Sequence, residues 1–256
     1  MDFYDNTEGN SNSGYTPTNF NDFSDANDPN PFVGAVPITD EATLFSRVFS
    51  WMFAGLGISA ISAFVGAGAL QNGLISMGLF YGLIILELAL VIFFSLKLQS
   101  MSATTAKICF IAYSIVNGFT LSTVLLVYTG SSVISTFVAA AAIFGAAALF
   151  GKVTNKNLSS IGGLLVMGLF GIIVASIINL FVRSGPFDMI ISFIGIALFI
   201  GITAWDSQRI RDFAKQQGLY DESTVSKVVI WGALQLYLDF INIFLKLLRF
   251  MGNRKN

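Results

Sequence analysis

From Arg47 onward the chain runs as blocks of apolar residues broken by short polar stretches: Val48–Leu70, Leu74–Leu96, Ile108–Val127, Val133–Phe150, Ile161–Val182, Met189–Trp205 and Val228–Leu248. Each block is close to the ~20 residues that carry a helix across ~30 Å of hydrocarbon, and a helix satisfies its own backbone groups there. The pattern predicts an all-α membrane protein, a seven-transmembrane helix bundle. Only "QNG" divides the first two blocks, and the fourth and sixth are short. Six spans with one re-entrant segment is therefore the other count.

The first 46 residues break the pattern. They hold eight acidic residues and no Lys or Arg, among many Asn, Ser, Thr, Gly and Pro. Such a segment buries too little apolar surface to offset its ordering entropy, and it lacks the basic start and apolar core of a signal peptide. It reads as a disordered acidic tail over residues 1–46, ahead of a transmembrane domain over 47–256. Its aromatics, among them Phe20, Phe23 and Phe32, are a candidate docking motif for a membrane protease or another membrane protein.

Lys and Arg set the expected orientation. Arg47, Lys97, Lys107, Lys152, Lys156, Arg209, Arg211, Lys215 and Lys227 fall before span one or in alternate connections, whereas the other connections hold Arg183 alone. The N-terminus is expected in the cytoplasm. The C-terminal Lys246, Arg249, Arg254 and Lys255 run against this, since seven spans export them.

Composition narrows the chemistry. Charged residues make up 11% of the 256, about half of what a soluble domain carries. The absence of histidine removes the usual general base, metal ligand and neutral-pH sensor, so proton chemistry falls to carboxylates. The one cysteine, Cys109, excludes an internal disulfide and reads as packing. No cofactor, catalytic group or nucleic-acid partner is expected. Small residues at four-residue spacing, in "AAAAIFGAAALFG", at Gly171 with Ala175 and at Ala197 with Gly201, predict close helix packing in lipid.

Three carboxylates interrupt or border the spans: Glu87, Asp206 and Asp239. A mid-span acid costs roughly 2.5–3.5 kcal/mol on insertion scales. Asp206 has a local explanation in a pairing with Arg209, three residues on. Glu87 and Asp239 lack one. Gln235, Asp239, Asn242 and Lys246 stand at offsets 0, 4, 7 and 11, which stacks them on one helix face. Span seven therefore carries a polar stripe that belongs inside the bundle, facing a water-accessible interior. Weaker stripes, Tyr113–Asn117–Thr120 and Ser176–Asn179–Arg183, are candidates to face the same interior or to bond other helices.

The stretches "GKVTNKNLSSIGGLLVMGLFGIIVASIINLF", "GITAWDSQRI" and "LQLYLDFINIFLKLLR" resemble the Bax inhibitor-1 family, most closely its bacterial branch, over residues from about 47 to 251. The resemblance implies a bundle in which six helices surround a central helix seven, and a pH-sensitive leak of calcium ions. It implies that Asp206 and Asp239 form a proton-sharing latch and that Glu87 matches an acid of helix two. The family's helix-two cation falls loosely near Lys97; Arg209 and Lys246 are the other candidate gate cations. Gln235, Asn242 and Asn117 join Glu87 as candidates for the ion path. Trp205 stands where relatives often have Tyr, and the acidic tail has no counterpart.

Two carboxylates within ~4–6 Å in a low-dielectric site titrate as one unit. Counting residues alone leaves the pair at different depths, because Asp239 is eleven residues, or ~16 Å, past Val228. They meet only if helix six continues past Asp206 toward Phe213. With Glu87, the aspartates offer calcium a weak, transient site, short of the six to eight ligands of a tight one. Weak sites release ions, as conduction requires. One rival is a non-conducting modulator of a protease or channel. Another, an intramembrane aspartyl protease, lacks its Gly-x-Gly-Asp signature at both aspartates. The bacterial flavour and the absence of organelle signals suggest a bacterial plasma (inner) membrane.

Overall fold

In the computed structural model, which describes residues 39–97, 100–216 and 221–255, seven α-helices follow one another. They are α1 (Glu41–Gln71), α2 (Met77–Lys97), α3 (Ala103–Val127), α4 (Gly130–Val153), α5 (Ser159–Val182), α6 (Gly185–Gln216) and α7 (Glu222–Met251). Six are long and apolar enough to cross a membrane; α2 has a shorter apolar stretch, Gly78–Phe94. Each matches one apolar block of the sequence. Most of the tail expected over 1–46 lies outside the described residues; where the two overlap, the chain is already helical from Glu41.

The helices outrun their apolar blocks because polar residues start them. Asp40 accepts from the Thr43 amide at 3.1 Å and Asp221 from the Thr224 amide at 2.8 Å, which caps α1 and α7. These bonds hold both carboxyls below their ordinary range, through the Thr43 side chain and backbone for Asp40 and the Thr224 backbone and side chain for Asp221. Ser102 and Thr129 cap α3 and α4 in the same way.

Helix α7 is the axis. Sixteen of its residues are buried, against two in α5. Helices α1, α3, α4 and α6 pack directly on it, while α2 packs on α3 and α5 on α6. Where hydrocarbon surrounds the helices, burial of apolar area gives little drive to associate, and close packing takes over. Glycines provide it at two crossings: a Cβ at Gly118 would run into the backbone of Ser59, and one at Gly151 into that of Ala204. Gly151 ends the expected "AAAAIFGAAALFG" contact, and Gly201 meets Leu165 as small-residue spacing predicted. Gly171 does not follow suit. Nothing lies within 4 Å of its Cβ position, because α5 has a single packing partner and Gly171 points away from it.

Helix α6 runs eleven residues beyond the Trp205 at which its apolar block ends. Its polar continuation is held by the α4–α5 connection. Gln208 accepts from the Leu158 amide and donates to the Lys156 carbonyl, both at 2.7 Å; Arg211 donates to the carbonyls of Lys152 and Thr154 at 2.9 and 2.7 Å. At the other end of the bundle the last residues strap the α3–α4 turn. Thr129 N donates to Asn253 O, Lys255 N to Val127 O, and Asn253 N to Ser132 Oγ.

Candidate functional site

The continuation of α6 brings the two aspartates together. Gly232 packs on Ile210, and Gly195 on Lys246, so α6 and α7 run antiparallel in a register that sets Asp206 across from Gln235 and Thr203 across from Asp239. Both acids are buried, with 2% and 4% of their surface exposed. Asp206 Oδ1 accepts from Arg209 Nη1 at 3.2 Å and Oδ2 from Gln235 Nε2 at 3.4 Å. Asp239 stands one turn past Gln235 on α7, opposite Thr203, whose hydroxyl donates to the Phe199 carbonyl at 2.7 Å. Its Oδ2 has no hydrogen-bond partner.

Arg209 does more than pair locally. Its guanidinium lies 4.9 Å from the Trp205 ring and 4.9 Å from that of Trp231, so it is held between α6 and α7 by two aromatic faces. Of the three candidate gate cations it is the one that touches an aspartate. Lys97 is exposed at the end of α2. Lys246 is half-buried along Gly195, toward the far end of α7. The role of Trp231 was not foreseen; its place one turn before Gln235 on α7 was the available signal.

Glu87 belongs to a different cluster. Its carboxylate accepts from Asn117 Nδ2 at 2.5 Å, Thr120 Oγ1 at 2.7 Å and the Tyr113 hydroxyl at 3.4 Å. The predicted Tyr113–Asn117–Thr120 stripe thus faces Glu87. Tyr237 extends the chain of bonds: its hydroxyl donates to Asn117 Oδ1 at 2.6 Å and lies 2.7 Å from Ser59 Oγ. Four helices, α2, α3, α7 and α1, meet in this buried network.

The expected three-carboxylate calcium site does not form. Tyr237 and Asp239 are two residues apart, about 200° around the helix, so α7 turns one toward α3 and the other toward α6. Glu87 sits with Tyr237 on the first side. Among the described residues no three acidic, histidine or cysteine side chains converge on one point.

Asn242 and Lys246 carry the polar stripe of α7 onward, and both line two cavities. One, of about 440 Å³, is bounded by Glu87, Asn117, Thr120 and Arg249. The other, of about 750 Å³, is bounded by Ser176, Asn179, Arg183 and Arg249. The second weak stripe therefore does share the α7 interior. Neither cavity reaches Asp206 or Asp239.

The chain matches the family model "Inhibitor of apoptosis-promoting Bax1" over residues 41–256. It is 42% identical over 216 residues to the inner membrane protein YbhL of Escherichia coli, an alignment covering 83% of this chain and 92% of the relative. A Deinococcus radiodurans protein is 39% identical over 217 residues, covering 84% and 91%. One from Borreliella burgdorferi is 37% identical over 218, covering 82% and 92%.

Proposed function

The chain belongs to the Bax inhibitor-1 family of membrane proteins, and from that premise we propose that it is a pH-sensitive leak for calcium ions, latched by Asp206 and Asp239. The observation that carries the proposal is the buried pair itself, one acid from each of two antiparallel helices, with an Asp239 oxygen that no donor satisfies. Two full negative charges at such a site repel, and a shared proton removes the repulsion while supplying the missing bond. The proton count then biases how α6 packs on α7. Arg209 holds one side of the latch: while Asp206 is ionised, the guanidinium between Trp205 and Trp231 ties it down. Opening this contact joins the outer cavities to the opposite end of the bundle. Glu87, Asn117 and Asn242 offer oxygen ligands along the way, too few for tight capture. This reading makes the chain a conduit and not a catalyst, seated in a bacterial inner membrane with its N-terminus in the cytoplasm.

Calcium flux into liposomes holding the pure protein tests the reading. Wild type should show flux that changes with pH, and Asp206→Asn and Asp239→Asn should each flatten the profile. Identical profiles in all three, or no flux in any, defeat the proposal. A second reading, a non-conducting modulator of another membrane protein, draws on one observation. The outer cavity carries Arg183, Lys246, Arg249 and Arg254 against the single acid Asp188, a balance that repels a divalent cation.

A further inference from the structure

That outer cavity has a use of its own, independent of the latch. Asp188, its one acid, is already engaged by Arg249 at 3.0 Å and by Asn179 at 3.4 Å. The positive charge around it is therefore largely uncompensated. Arg183 ends α5 in a left-handed conformation, φ 55°, which glycine adopts freely and a side-chain residue does not. An arginine stands there all the same. Arg249 is in the last turn of α7, and Arg254 lies just past its end. Arg183, Arg249 and Arg254 lie where helices end, with Lys246 one turn before Arg249, and cations at helix ends are the ones placed to meet lipid headgroups.

The rest of the wall is apolar. Ile173, Ile177 and Leu180 of α5 line the cavity and are also 46%, 53% and 71% exposed. The wall is thus continuous with the membrane-facing flank of α5, a helix that packs on α6. A small soluble anion would leave that flank unused. An amphiphile with an anionic head and a hydrocarbon tail fits both parts.

We propose that the cleft between α5 and α7 binds an anionic glycerophospholipid, with its phosphate among Arg183, Lys246 and Arg249 and one acyl chain along Ile173 and Ile177. The four cations select an anionic head over a zwitterionic one. The bound lipid supplies the countercharge that Asp188 alone does not.

Full-length protein reconstituted in equal parts phosphatidylglycerol and phosphatidylcholine, then examined by native mass spectrometry, should retain phosphatidylglycerol in preference. Arg183→Gln combined with Lys246→Gln should weaken phosphatidylglycerol binding about thirtyfold, as expected for two interfacial charges. Lys107→Gln, at the start of α3, should leave it unchanged. Ser176→Trp keeps every cation and fills the apolar flank; it should displace the lipid too, and it covers the case in which the double variant fails to insert. Equal retention of both lipids, undiminished retention in Ser176→Trp, or displacement by millimolar inorganic phosphate each overturns the proposal, the last by reducing the site to one for a free anion.

Discussion

Tyr237 brings a single hydroxyl to a point where three other helices have polar groups to satisfy. Removing it leaves Asn117 Oδ1 buried without its donor, while Ser59 keeps its bonds to the Ser114 and Gly55 carbonyls. Tyr237→Phe should therefore destabilise the protein by about 1–3 kcal/mol, seen as a lower thermal midpoint in detergent. The pH profile of the proposed calcium flux should persist, because Tyr237 and the Asp206–Asp239 pair are on opposite sides of α7. The acids of both clusters were legible in the sequence, since a carboxylate in an apolar run is too costly to stand there without a cause. Tyr237, Trp205 and Trp231 were not. An aromatic side chain in such a run reads as packing, and its polar edge acquires meaning only once a neighbour is in place.

At the scale of elements, the apolar blocks revealed each helix and understated its length. Hydropathy stops at Trp205, but α6 does not, because Gln208 and Arg211 find backbone partners in the α4–α5 connection that no local pattern announces. The depth mismatch between Asp206 and Asp239, apparent from counting, disappears for the same reason. Small-residue spacing was an uneven guide, since it marks which residues permit contact and not which helices are adjacent. Gly151→Ala and Gly171→Ala separate the two cases. The first drives a methyl into the Ala204 backbone and should cost about 1–3 kcal/mol. The second faces open space and should be neutral or stabilise by up to about 1 kcal/mol, as alanine does over glycine in a helix. Thermal unfolding of the two variants side by side checks both.

For the whole molecule, the seven helices place the turns after α1, α3 and α5 and the C-terminus at one end, opposite the start of α1. The proposed orientation sends that end out of the cytoplasm, together with the C-terminal cations that the charge rule would retain. Three of the four are engaged after folding: Arg249 pairs with Asp188, Arg254 lies over the Tyr128 ring, and Lys255 donates to the Leu125 carbonyl. Impermeant maleimide applied to intact cells, in a Cys109→Ser background, should label Asn72→Cys, whereas Lys156→Cys should react only after permeabilisation. The reverse pattern inverts the orientation. The burial of α7 has one more consequence. The axis of the bundle follows the other six helices along the chain, so they leave the ribosome before their common centre exists. Until α7 emerges, α1, α3, α4 and α6 lack the surface they share, and a chain cut short of residue 222 is an assembly without a hub.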